Sequence, residues 1–178
     1  MKILILGIDG MIGHKIAQSL NNNFDIIGSL RKDINSQSLG LKNCSLFKRD
    51  FLVDNFISFF NKISPDVIIN CVGITIRRGD SKSFFNKNFF YHQFPHYIDH
   101  WISKNNKKLI HLSTDCVFDG IKGNYMDDDK PNANDIYGLT KSKGEINDNK
   151  ALTIRCSMVG REIFNHTELF EWLYSMKN

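Results

Sequence analysis

The chain has 178 residues, of which 42% are apolar and 24% charged, and carries a net charge of +4. That length suits one ordinary domain, and the balance is that of a globular chain able to bury a core. Fourteen Phe, five Tyr and two Trp exclude disorder as the main state, no run approaches the roughly 18 apolar residues of a membrane span, and the scattered Lys and Arg permit an anionic ligand without demanding nucleic acid.

Lys2 to Leu6 is an apolar run closed by Gly7, the pattern of a buried strand. Asp9, Gly10 and Gly13 follow at once with no small-residue cleavage site, so a signal peptide is not expected. Met11 to Leu20 places Ile12, Ile16, Ala17 and Leu20 on one helical face, and Asn21 to Asn23 breaks it. Phe24 to Leu30 reads as a second strand and Leu46 to Lys48 as a short third. Val53, Phe56, Ile57, Phe60 and Ile63 recur at helical spacing before Pro65. Asp66 to Val72 is a fourth strand, followed by a Phe-rich helix ending near Asn106. Lys108 to Ser113 is a fifth strand and Asp119 to Asn134 a long loop. Asp135 to Asn147 is a helix, Leu152 to Arg155 a sixth strand and Thr167 to Met176 a last helix. Alternation of this kind predicts an α/β fold: a Rossmann-like, doubly wound parallel sheet with helices on both faces.

Cys44, Cys71, Cys116 and Cys156 are far apart and form no CxxC pair. Zinc is not expected, and the simplest reading is reduced, buried thiols in a cytoplasmic protein.

The first strand runs into Gly7-Ile8-Asp9-Gly10-Met11-Ile12-Gly13 and then a helix. A GxxGxxG strand-to-helix turn lets backbone approach a pyrophosphate, and the helix start supplies free N–H groups and a positive dipole end. Chance glycines in a tight turn are the bland alternative, and the strand–turn–helix context weighs against it. Arg31 and Lys32 follow the second strand, where an acidic residue would greet a free ribose 2′-hydroxyl and Arg a 2′-phosphate. NADPH is therefore favoured, with NADH possible. Asp50, beside Phe51 after the third strand, suits either the adenine amino group or the cap of the next helix.

Tyr137-Gly138-Leu139-Thr140-Lys141 sets a phenol and an ammonium four residues apart on one predicted helix face. An ordinary phenol near pKa 10 donates poorly at neutral pH, and a nearby Lys⁺ lowers that value. Ser113-Thr114-Asp115 ends the fifth strand, at the sheet edge where open parallel sheets bind ligands.

Together Gly7, Gly10 and Gly13, the DVIINCVG run Asp66–Gly73, the STDCVFDG run Ser113–Gly120, Gly123, Tyr125, Tyr137 to Lys141 with Gly144-Glu145, and Ile154-Arg155 resemble the extended short-chain dehydrogenase/reductase family. Within it the likeness is greatest to dTDP-4-dehydrorhamnose reductases and related sugar-nucleotide 4-keto reductases, and runs from Lys2 to about Tyr174. The STDxVFDG segment followed by YGxxKxxGE is fairly specific for that branch. The resemblance implies that Tyr137 donates a proton to the C4 carbonyl oxygen of a nucleotide 4-keto-6-deoxysugar, with hydride from the nicotinamide. Lys141 would bind the nicotinamide ribose and depress the Tyr137 pKa. Thr114 would orient the carbonyl with Asp115 nearby, and Cys71, Val72 and Gly73 would pass close to the cofactor. An epimerase or dehydratase on the same scaffold, or a dinucleotide-binding remnant without catalysis, are the alternatives.

Two departures from the resemblance bear on activity. Relatives are substantially longer, so residues 1–156 are expected to form the dinucleotide-binding domain and 157–178 only the start of a substrate-binding region. The asparagine such enzymes carry a few residues before Pro95 aligns with Tyr91, with Asn88 three positions early.

His92, His96 and His100 fall at i, i+4 and i+8, which raises a metal. They lie roughly opposite an apolar face of Phe90, Phe94, Tyr97, Ile98 and Trp101, so a solvated polar face is the better reading and no metal is expected. Arg77 and Arg78 suit either a substrate diphosphate or a mobile basic loop. Phe84, Phe85, Phe89, Phe90 and Phe94 exceed one helix face. That surplus fits a homodimer pairing through this helix and the Tyr137 helix.

Overall fold

The computed structural model describes residues 1–73, 83–164, 166 and 169–176. Strand β1 (Lys2–Leu6) sends Leu4 and Leu6 into one apolar cluster and Ile3 and Ile5 into another, all of them 3% exposed or less. A strand apolar on both faces has to sit centrally between two helical layers. It does: the six strands run parallel in the order β3-β2-β1-β4-β5-β6, with β2 at Asp25–Leu30, β3 at Cys44–Lys48, β4 at Val67–Asn70, β5 at Lys108–Ser113 and β6 at Ala151–Arg155. The order reverses between β1 and β4, which opens a crevice beyond their C-terminal ends.

The two layers differ in material. Helix α1 (Met11–Leu20) packs Ala17 against the aliphatic cluster of Ile3, Ile5, Ile8, Ile26, Leu30, Leu39, Leu41 and Ile69. The other layer is aromatic. Helix α2 (Phe56–Ile63) brings Phe59 and Phe60, and α4 (Phe94–Asn105) brings Phe94 and Trp101, onto Leu4, Leu6 and Ile68. Their rings meet edge-on or stacked, as with Phe60–Trp101 at 5.5 Å and Phe51–Phe94 at 5.2 Å.

Several expected boundaries move. Helix α2 begins at Phe56, because the Asn55 side chain caps it by accepting from the Ser58 N–H at 2.9 Å. Val53 lies before it, 82% exposed. Asp50 is therefore not the cap. Its Oδ1 accepts from the Leu52 N–H at 3.1 Å and its own N–H donates to Asp54 at 2.7 Å, closing a turn.

The Phe-rich helix is three pieces: α3 (Ser83–Asn88), a π-helical turn over Phe89–Gln93, and α4 with Pro95 in its first turn. Pro95 has no N–H to offer the carbonyl four residues back, that of Tyr91, and its ring would clash there, so the wider turn relieves the chain. Helix α5 spans Ile136–Lys143, capped by Asp135, and stops at Gly144 rather than Asn147. A Cβ at Gly144 would strike the Tyr91 backbone carbonyl, so glycine alone allows that approach.

Helix α6 (Leu169–Ser175) leaves Trp172, Leu173 and Tyr174 about half exposed. Tyr97, expected inside, is 48% exposed. His96 and His100 are exposed and His92 half-buried, and the His96 Nε2 bonds the Lys143 carbonyl at 2.7 Å. The thiols are less buried than expected, Cys116 being exposed and the other three intermediate. Arg77 and Arg78 lie outside the described residues. No helix among the described residues is long and apolar enough to cross a membrane.

Candidate active site

A cleft of about 300 Å³ opens at the sheet crevice. Its floor is the glycine turn. Gly7 adopts φ +74°, which a side chain resists, and its N–H, with that of Ile8, donates to the Ser29 carbonyl at 3.1 Å. A Cβ on Gly13 would collide with the Gly7 carbonyl oxygen and lie 3.1 Å from the Ile8 Cα. So Gly13 sits behind the turn and lets α1 press against β1, while Gly7, Asp9, Gly10 and Met11 face the cleft. Gly10 caps α1 without a side-chain bond, and no acidic residue stands in the first helical turn. This leaves the positive helix end to an anion. Ser29 lines the same cleft, 1% exposed, and its hydroxyl has no partner among the described residues. A glycine-walled cradle with a helix start and an unpaired buried hydroxyl fits a dinucleotide.

Arg31, Lys32 and Arg49 line one end of the cleft. Asp33, one residue beyond Lys32, does not line the cleft and pairs with Lys48 at 3.0 Å. Phe51, Cys71, Val72 and Gly73 also line the cleft. Ile12, Gly13 and Asp50 do not.

The second cluster stands at the ends of β5 and β6. Thr114 is 5% exposed, and its Oγ1 accepts from the Cys116 N–H and donates to Asp115, both at 3.2 Å. The Tyr137 phenol is also hydrogen-bonded to Thr114. Burial pushes the phenol above its ordinary value, and the Thr114 bond opposes that only in part. This corrects the expectation that Lys141 depresses it. Lys141 is 5% exposed, and its Nζ donates to the Leu112 carbonyl at 2.6 Å. Burial lowers the ammonium to about 8, against which Cys156, Glu145 and Cys71 act only in their ionised forms.

A rigid frame surrounds this cluster. Arg155 forks onto Glu145 at 2.9 and 2.8 Å, and Ser113 donates to the same carboxylate at 2.7 Å. The Arg155 guanidinium also lies 5.0 Å from the Phe118 ring centre, Phe118 stacks on Tyr125 at 4.2 Å, and Tyr125 donates to Asp119 at 2.6 Å. The long loop after β5 is thereby clamped to β6. Beneath, His111 meets Asn70 at 3.2 Å, and burial pushes it down to about 3.

Sequence reasoning missed Ser29, Leu30, Arg49, Phe90 and the segment Glu162–Phe164, all of which line the cleft. Ser29 and Leu30 could have been found as the end of β2 beside the glycine turn. Glu162–Phe164 carry no local signal. Phe164 reaches the cleft through long-range packing and lies 4.4 Å under the Lys32 ammonium.

Residues 1–166 match the family model described as RmlD substrate binding domain, and the chain belongs to that family. It is 26% identical over 150 residues to a dTDP-4-dehydrorhamnose reductase of Aggregatibacter actinomycetemcomitans, covering 81% of this chain and 45% of that one. The crystal structure of a hypothetical dTDP-4-dehydrorhamnose reductase from Sulfolobus tokodaii superposes with a TM-score of 0.75 at 28% identity, covering 87% of this chain and 55% of that one. UDP-glucuronic acid 4-epimerase from Bacillus cereus, in complex with UDP-glucuronic acid and NAD, superposes at 0.68 with 25% identity, over 81% of this chain and 50% of that one. The chain thus spans about half the length of these relatives.

Proposed function

We propose that this member of the RmlD substrate-binding domain family binds NADPH in the glycine cleft and reduces the C4 carbonyl of a nucleotide-linked 4-keto-6-deoxysugar. Residues 1–156 would form the dinucleotide-binding domain and 157–178 the start of the substrate-binding region. The observation that carries this is one adjacency. Gly73 lines the glycine cleft, and the Tyr91 ring, 3.8 Å from where a Gly73 Cβ would stand, lies 5.3 Å from the Lys141 Nζ and 5.4 Å from the Tyr137 ring, which supports reading cradle and Tyr137–Lys141 pair as one site.

Gly7, Gly10 and the start of α1 would hold the pyrophosphate by backbone N–H groups, and Arg31 the 2′-phosphate. Bound NADPH supplies the hydride. With its pKa raised, Tyr137 is protonated at neutral pH and is a donor, not a base. As charge builds on the C4 oxygen, its phenolic proton passes to that oxygen. Thr114 would orient the carbonyl beside the phenol, and Lys141 would bind the nicotinamide ribose. Tyr97 on α4 with Ile136 and Leu139 on α5, all more than 40% exposed, would meet a second copy.

The test is a fluorescence titration with NADPH and NADH, then turnover of a dTDP-linked 4-keto-6-deoxysugar. NADPH should bind at least about tenfold tighter, and Arg31→Ala should erase that preference. Stoichiometric NADPH consumption that Tyr137→Phe lowers about 100-fold or more supports the reductase. Turnover without net consumption points to an epimerase, and binding without turnover to a non-catalytic chain.

A further inference from the structure

Burying the Lys141 ammonium needs an explanation. A desolvated cation ordinarily requires a carboxylate, and Glu145, the carboxylate among the described residues that acts on Lys141, is engaged by Arg155 on both oxygens and by Ser113. Cys71 and Cys156, facing Lys141 from the ends of β4 and β6, are held protonated by burial, Cys71 at about 12. His111, below on β5, is kept neutral. Among the described residues, what the ammonium meets is the Leu112 carbonyl and an aromatic ring. Tyr91, 2% exposed, sets its ring centre 5.3 Å from the Lys141 Nζ. The same ring stands edge-to-face with Tyr137, centroids 5.4 Å apart at 82°. A Cβ on Gly73 would lie 3.8 Å from the Tyr91 Cε1, so the ring also reaches the cofactor side.

We propose that Tyr91 is a positioning residue for the Tyr137–Lys141 pair, its ring face holding the ammonium by a cation–π contact and bracing the phenol by edge packing. The electron-rich ring supplies negative potential in a site closed to water. The π-helical turn and the side-chain-free Gly144 give it its place: the turn swings Tyr91 inward, and Gly144 lets α5 close on its backbone. The catalytic consequence rests on the function proposed above, whereas the electrostatic claim does not.

The experiment replaces residue 91 by phenylalanine and by its mono-, tri- and pentafluoro analogues. These keep the ring's shape and drain its electron density stepwise. Lys141 is titrated by NMR of its side-chain nitrogen, in the whole chain, with and without NADPH. Phenylalanine should leave the Lys141 proton affinity within about twofold, and the pentafluoro ring should lower it about tenfold, in graded steps. A flat series overturns the proposal. Tyr91→Leu, where it folds, should match the pentafluoro variant; a Lys141 titration unchanged in that variant would equally overturn it. NADPH consumption read alongside keeps the outcomes apart, since a graded titration in a chain with no turnover sinks only the reductase reading.

Discussion

The glycine turn after β1 and the Tyr137–Lys141 face of α5 stand on the same sheet edge but are made of opposite materials. The turn is backbone: its shape follows from what Gly7 and Gly13 lack, and apart from the Cys71–Val72 backbone that Gly7 approaches, the elements that form it lie within the first 30 residues. The α5 face is side chain, and nothing local holds it. Thr114 comes from the end of β5, the Leu112 carbonyl from β5 itself, Tyr91 from the π-turn and Arg155 from β6. A site made of absent side chains is insensitive to distant packing. One made of buried polar groups depends on every neighbour that satisfies them.

Substitutions should expose this difference. The largest effect belongs to Gly13→Val. Its side chain meets the backbone at Gly7 and Ile8, which cannot step aside. A loss of about 4–5 kcal/mol in urea unfolding and of all measurable dinucleotide binding is expected.

Next is His111, beneath the side-chain half of the site. Its folded value of about 3 lies below the ordinary 6.5, so the unfolded chain binds more protons between those values. Stability should therefore be full above pH 6.5 and fall as pH drops toward 3. The loss reaches about 4 kcal/mol across the window. His111→Gln should flatten that part of the pH–stability curve. If both proteins lose stability in parallel from pH 6.5 downward, His111 is not the cause.

The smallest effect sharpens the comparison. Arg155→Lys keeps the charge but loses the fork onto Glu145 and the face contact with Phe118, which should cost about 1–2 kcal/mol. Turnover should fall with it while NADPH affinity, governed by the other half, stays unchanged. A parallel loss of NADPH affinity would mean the two halves are one unit.

Legibility in the sequence follows the same divide. The alternating strands and helices could be read from periodicity, and the cradle from GxxGxxG, because both are set by residues within a few positions of one another. The i, i+4 placement of Tyr137 and Lys141 is equally local. The direction of the Tyr137 shift was not readable, since burial outweighs the one hydrogen bond that opposes it and burial is a property of the packed whole. Nor was the form of the break before Pro95: a proline signals that a helix is disturbed, but not that the chain widens into a π-turn whose Tyr91 carbonyl lies against Gly144 of α5.

The sequence by itself therefore determined the parallel sheet, its crevice and the identity of the groups gathered there, through backbone propensity and short-range spacing. Tertiary structure alone decided which groups those side chains face: the Leu112 carbonyl and Tyr91 ring for Lys141, Thr114 for Tyr137, and Phe164 for Lys32. Those partners lie from 23 to 132 residues away along the chain. They are brought together by burial of two apolar clusters, a force that specifies how much surface is hidden and leaves the pairings to shape.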